Sequence, residues 1–397
     1  MAKTVDVAER REVLERLRAL KMARSAHAYV RGNTAKFYAW LAGSKIARHV
    51  PAGPAVWICG DCHLGNLGPL ADAEGHVDIQ IRDLDQSVIG NPAHDLIRLG
   101  LSLASAARGS DLPGVTTAHM IEQMMDGYEA ALLDPEERSG EAPNVVRAVR
   151  RRALGRRWRH LAAERIGDFD PHIPLGKKFW KLSAEERGAI DQLFGRDDVR
   201  GMVLRLNGRD DGSAVRVIDA AYWRKGCSSL GALRYAVLVG MKGSNGGREV
   251  ALVDLKEALP SVAPTAPGST MPADDGARVV AGARALSPNL GERMLAARLL
   301  GRSIFLRELM PQDLKLEVDQ FSSEQAVMAA RYLAHVVGRA HARQMDDQTR
   351  RRWRQDLRVQ HRGSIDAPSW LWRSVVDLMA AHEAAYLDHC RRYALAA

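Results

Sequence analysis

The chain has 397 residues, 46% hydrophobic and 26% charged, which excludes global disorder and leaves room for two lobes sharing a cleft. Its formal net charge of +9 favours anionic partners: nucleotides, acidic metabolites or nucleic acid. Four cysteines are too few for a disulfide scaffold, and no apolar run is long enough for a leader or a membrane helix, so the expectation is a soluble cytoplasmic protein without a membrane partner.

Apolar periodicity predicts a helix over 6–25, with Val13, Leu14, Leu17 and Leu20 on one stripe, and a second over 33–49 ended by Pro51 and Pro54. Residues 55–59 form an apolar strand, followed by a polar turn over 60–68. Val77, Ile79 and Ile81 alternate with polar residues, which is strand spacing. Residues 95–107 are apolar nearly all round and predict a buried helix. Arg-rich helices follow over 115–200, then a hairpin over 202–218 around Asn207-Gly208 and Asp211-Gly212, and a β-rich stretch over 222–258. A loop with Pro260, Pro264, Pro267 and Pro272 leads to a helix over 275–286 and a strand over 303–309. The remainder is helical, notably 324–344 and 369–394.

The densest chemical signal lies on two strand ends. Asp61 follows the first strand, Asn66 sits five residues later on the same loop, and Asp83 with Asp85 follows the second strand. Carboxylate and amide oxygens on one rim suit a hard cation such as Mg²⁺. Phosphoryl transfer uses this set: one Asp for the acceptor hydroxyl, an Asn and a second Asp for the metal. In that reading Asp61 is the catalytic base, Asn66 and Asp83 bind metal, and Asp85 adds an outer contact. Three polar turn residues capping strands and helices are the plainer alternative. Cys59-Gly-Asp-Cys62-His63 also matches c-type haem attachment, but that leaves Asn66, Asp83 and Asp85 unexplained.

These residues resemble the Asp-x-x-x-x-Asn loop and metal-binding Asp of aminoglycoside-phosphotransferase-like kinases. Cys59 stands where that family usually has His. Asp95 resembles the Asp that braces the catalytic loop, with His63 supporting it. The phosphate lid and its lysine are absent upstream of Asp61 and occur downstream. Gly226, Ser228, Ser229 and Gly231 form a glycine turn between strands, and Lys256 lies near the end of a third strand. The helix over 275–286 lacks the Glu expected to pair with that lysine, leaving Glu257 or Glu292 as substitutes. Arg307, Glu308 and Leu309 would meet adenine at the hinge.

The chain therefore reads as an α+β, protein-kinase-like two-lobed fold, circularly permuted. Residues 1–200 are a helical half with the catalytic and metal loops, 201–310 a β-rich nucleotide lobe, and 311–397 the helical remainder. The whole pattern resembles the bacterial domain-of-unknown-function 2252 family, placed among kinase-like folds. The resemblance implies ATP and Mg²⁺ as cofactors and an unidentified small-molecule acceptor. Arg31 and His341 are further cleft candidates, each with a structural alternative. A nucleotide-binding pseudoenzyme or regulator, an adenylyl transferase, and a nucleic-acid binder using Arg147, Arg150, Arg151, Arg152, Arg156, Arg157 and Arg159 are the alternatives, the last the least favoured.

Overall fold

The computed structural model describes residues 5, 7–136, 142–166, 172–206, 209, 212–226, 230–243, 246–314, 322–358 and 368–393. The architecture is mixed α+β. It begins with helices α1 (Arg10–Met22), α2 (Ala26–Gly32) and α3 (Thr34–Gly43). Short strands β1 (Val56–Ile58), β2 (Leu67–Ala71), β3 (Val77–Ile81) and β4 (Val88–Gly90) follow. Next come helices α4 (Ala93–Gly109), α5 (Gly114–Leu133), α6 (Asn144–Leu154) and α7 (Trp158–Arg165). Strand β5 (Phe179–Trp180), helices α8 (Ala184–Phe194) and α9 (Asp197–Leu204), and strands β6 (Arg216–Trp223), β7 (Arg234–Lys242) and β8 (Arg248–Glu257) lead to α10 (Asp275–Leu286) and α11 (Pro288–Gly291). Strands β9 (Met294–Leu299) and β10 (Arg302–Leu309) precede α12 (Ser323–Ala342), α13 (Asp347–Arg358) and α14 (Ser369–Tyr393).

Helix starts follow local capping chemistry. Ser25, Asn33 and Asp274 accept backbone N–H bonds at the heads of α2, α3 and α10. Ser183 with Glu186 and Ser322 with Gln325 form reciprocal caps on α8 and α12.

One antiparallel sheet runs in the order β5-β6-β7-β8-β10-β9. Its outer face buries Val237, Val253, Leu255 and Leu306 against Leu14 of α1 and Ile190, Val199 and Val203 of α8 and α9. A fully buried aliphatic side chain of this kind contributes roughly 1.5–3 kcal/mol. The sheet's core thus draws on residues before 201. Beside it, β1 pairs with β4 and β2 with β3, and these two-stranded pairs pack with α4, α5, α10 and α12 around one large core. Helices α5 and α12 approach closely because Gly127 has no side chain: a Cβ there would lie 2.0 Å from the Arg331 carbonyl oxygen.

Three segments differ from the sequence expectations. Met202 and Val203 belong to α9 rather than to a hairpin arm, because a short apolar run suits either period. Residues 207, 208, 210 and 211 lie outside the described part of the chain. Leu67–Ala71 is a strand whose Gly68 and Pro69 mask it in the sequence, and β9 is an additional edge strand. Among the described residues, no helix is long and apolar enough to cross a membrane.

Candidate active site

Strand β1 ends at Ile58 and hands the chain to Cys59, Gly60 and Asp61. The turn needs glycine: Gly60 has φ of 72°, and a Cβ there would sit 2.2 Å from the Gln86 carbonyl oxygen. Asp95, in the first turn of α4, clamps the loop from behind. Its two oxygens accept from Cys59 N at 2.7 Å and Gly60 N at 2.9 Å. Behind Asp95, His341 Nε2 lies at 3.2 Å, Tyr128 Oη lies 3.0 Å from His341 Nδ1, and Trp353 Nε1 donates to Tyr128 Oη at 3.2 Å. His341 is wholly buried in this chain of contacts and does not line the cleft.

Asp61 is held by Arg98 of α4, whose Nε donates to Oδ1 at 2.9 Å while its Nη2 donates to the Val30 carbonyl at 2.5 Å. Burial raises the Asp61 carboxyl above its ordinary value, against the opposing pull of Arg98 and the Thr34 hydroxyl. Asn66 Nδ2 donates to the Asp61 carbonyl at 2.9 Å. That bond commits the amide nitrogen and leaves the amide oxygen as a ligand. His63 is buried at the cleft wall, where burial and then Arg31 push its imidazole well below the ordinary histidine range.

Strand β3 delivers the second loop. Arg82 N donates to the Asn66 carbonyl at 2.7 Å, and the Cys59 thiol reaches the Asp83 carbonyl at 3.5 Å, so the two loops are tied together. The cysteine at position 59 therefore still makes a positioning contact. Asp83 opens into the cleft with 47% of its side chain exposed. Burial would raise its carboxyl, but Lys256 and Arg307 hold it below the usual carboxylate range. Asp85 is pushed up to about 6 by burial and by Asp83, although Lys256 opposes the shift.

The inner sheet face completes the arrangement. Lys256 Nζ meets Asp85 Oδ2 and lies 3.7 Å from Asp83 Oδ1. Neither sequence candidate partners the lysine: Glu257 is taken by Arg302 at 2.7 Å and by Leu233 N at 2.7 Å, and Glu292 is exposed. Helix α10 presents Arg278 instead of a glutamate, and its Nη1 donates to the carbonyls of Asp85 at 3.0 Å and Ser87 at 2.7 Å. Arg234 makes a bidentate pair with Asp254 at 2.9 and 2.6 Å, and Arg307 reaches Asp254 at 3.3 Å and the Arg82 carbonyl at 3.1 Å.

Asp61, Asn66, Asp83, His63 and Arg31 all line one cleft of about 420 Å³, together with Gly226 and Arg307. Gly226, with φ of 108°, receives Lys21 Nζ on its carbonyl at 3.0 Å. Gly231 also has positive φ, at 106°, but does not line the cleft. Ser228 and Ser229 lie outside the described residues. Glu308 is taken by Arg209 through two 2.6 Å bonds, and Leu309 packs with Trp223 and Leu252 in a separate core, so of the three hinge candidates Arg307 alone lines this cleft.

The sequence model of the family described as "Uncharacterized protein conserved in bacteria (DUF2252)" matches residues 10–392. The chain belongs to the DUF2252 family. No curated protein and no solved structure matches it.

Several cleft residues of this DUF2252 chain escaped the sequence reading: Lys21, Arg24, Arg82, Arg165, Lys225 and Arg234. Burial, then Arg234 and Arg165, push Lys225 well below the ordinary lysine range. The buried Nε atoms of Arg82 and Arg165 have no hydrogen-bond partner. Orphaned guanidinium donors around Asp83 and Asn66 oxygens fit a magnesium–phosphate group. Cys59 and Cys62 are free and buried.

Proposed function

We propose that this DUF2252 protein is an ATP- and Mg²⁺-dependent phosphotransferase of circularly permuted kinase-like fold, acting on a small-molecule hydroxyl. The observation that carries this reading is the meeting of Lys256, from strand β8 of the six-stranded sheet, with the Asp83–Asp85 loop, beside Asp61 and Asn66. Strands β6, β7, β8, β10 and β9 in that order, with α10 inserted between β8 and β9, support a kinase nucleotide lobe. A permuted order is supported at the other end of the site. Gln344, just beyond α12, accepts from Trp57 N at 2.8 Å and donates to Trp57 O at 3.1 Å, although the residues are 287 positions apart. In an unpermuted kinase the chain would run directly from such a helix into β1.

Each residue then has a task. Asn66 and Asp83 would hold Mg²⁺, which supplies charge neutralisation on the nucleotide phosphates. Lys256 grips the phosphates from the sheet side. Asp61 orients the acceptor hydroxyl and takes its proton as the new P–O bond forms and the bond to the leaving ADP oxygen breaks. Arg98 fixes the Asp61 carboxylate, and Asp95 fixes the backbone that carries it.

The test is magnesium-dependent release of ADP by wild type and by Asp61→Asn. Turnover should fall by roughly 10²–10⁴-fold in the variant while nucleotide binding persists. Unchanged turnover would contradict the role of Asp61, and AMP attached to a product would indicate adenylyl transfer. A nucleotide-binding pseudoenzyme is the second reading, favoured by Arg278 standing on α10 where a kinase carries glutamate. Binding without turnover would establish it. The nucleic-acid reading is weakened because Trp158, the one aromatic residue in the arginine cluster, packs against the core.

A further inference from the structure

The cleft carries more positive charge than the nucleotide side uses. On the sheet side, Arg234 and Arg307 are tied to Asp254, and Lys256 to Asp85 and Asp83. Another part of the lining comes from α1, the turn after it and α2, which bring Lys21, Arg24 and Arg31. Among the described residues lining the cleft, the carboxylates are Asp61 and Asp83, and Asp61 is already paired with Arg98.

Arg31 lies across the catalytic loop. A Cβ on Gly65, between Asp61 and Asn66, would sit 3.1 Å from Arg31 Cζ, so a bare glycine gives the guanidinium its place. Its buried Nε has no partner. His63 beside it is fully buried with an unpartnered Nδ1, and Arg31 contributes to keeping it neutral. Lys21 reaches the Gly226 carbonyl, so this wall spans from the glycine turn to the catalytic loop. Arg24 is exposed at the mouth. Guanidinium forks match phosphate oxygens in geometry as well as charge.

We propose that the α1–α2 wall binds the acceptor through an anionic group, so that the substrate is a small hydroxyl compound already bearing a phosphate ester, with Arg31 as its specificity-determining contact. This inference rests on the phosphotransferase reading and gives it a substrate class. The phosphate sits beside Arg31 while the free hydroxyl points to Asp61.

The experiment saturates the protein with Mg²⁺ and a non-hydrolysable ATP analogue, then titrates matched pairs by calorimetry: ribose with ribose 5-phosphate, and glucose with glucose 6-phosphate. Inorganic phosphate serves as the minimal probe. A phosphorylated member should bind at least tenfold more tightly than its parent, and its affinity should fall with added salt in the wild type. Arg31→Ala should remove tenfold or more of that affinity, Arg31→Lys should restore part of it, and both should bind the analogue within twofold of wild type. Equal affinity for neutral and phosphorylated members, or no dependence on salt, overturns the proposal while leaving the phosphotransferase reading in place. Loss of analogue affinity in Arg31→Ala also overturns it, by assigning the wall to the nucleotide. Failure of the analogue to bind wild type at all overturns the phosphotransferase reading and the acceptor role with it.

Discussion

Lys256 Nζ meets Asp85 Oδ2 and stands 3.7 Å from Asp83 Oδ1, so a strand of the sheet is electrostatically joined to the loop that follows β3. The lysine is buried, with 5% of its side chain exposed, whereas Asp83 faces the cleft. Lys256 thereby screens two carboxylates that would otherwise repel each other across a partly dry wall. A bound polyphosphate would compete with Asp85 for the same ammonium group.

Replacing Lys256 by Met leaves the carboxylate pair without its counter-charge. The expected cost is on the order of 3 kcal/mol, read as a lower urea midpoint. Nucleotide affinity should fall tenfold or more, and Lys256→Arg should recover part of both losses.

Asp95 holds two buried N–H groups of the catalytic turn. Asp95→Ala leaves both unpartnered at about 1–3 kcal/mol each, so urea unfolding should show a loss at or above the size typical of core mutations. Turnover should fall as well, since Asp61 follows those two residues directly. His341→Gln removes a contact one step further back, and its loss should be smaller.

Gly60→Ala introduces a side chain where φ is 72° and where the Gln86 carbonyl already occupies the space. Strain on the order of 1–3 kcal/mol is expected, together with displacement of Asp61. Thermal unfolding should register the first effect and ADP release the second.

Much of this site was legible in the sequence, for local reasons. Asp61, Asn66 and Asp83 lie within a short stretch whose strand alternation at Val77, Ile79 and Ile81 is unambiguous. Lys256 is likewise on a strand announced by its apolar run. Its partner was not legible, because Asp85 is 171 positions away and a closer glutamate, Glu257, competes for the assignment. Arg98 escaped for a related reason: inside a helix apolar nearly all round, nothing local marks it as the partner of Asp61. The cationic wall escaped too, since Lys21 and Arg24 read as the solvated ends of amphipathic helices until packing turns them into the cleft.

Acid should destabilise the fold over the range in which burial keeps three histidines neutral. Burial lowers His27, His94 and His382 to about 4. The unfolded chain protonates them near pH 6.5, so between about pH 6.5 and 4 it binds more protons than the folded one. Their contribution is therefore present above pH 6.5 and is lost as the pH falls toward 4. Thermal midpoints should decline across that window, and His382→Leu, at a site with 2% exposure, should flatten the decline.

The central claim is a magnesium-dependent nucleotide site at Asn66 and Asp83, and thermal shift tests it most directly. Wild type with ATP and Mg²⁺ at a hundredfold excess over Kd should gain about 2.7 kcal/mol of stability, seen as a raised midpoint. The gain should vanish without Mg²⁺ and in Asp83→Ala. No shift with any nucleotide, or an equal shift in Asp83→Ala, would contradict the account.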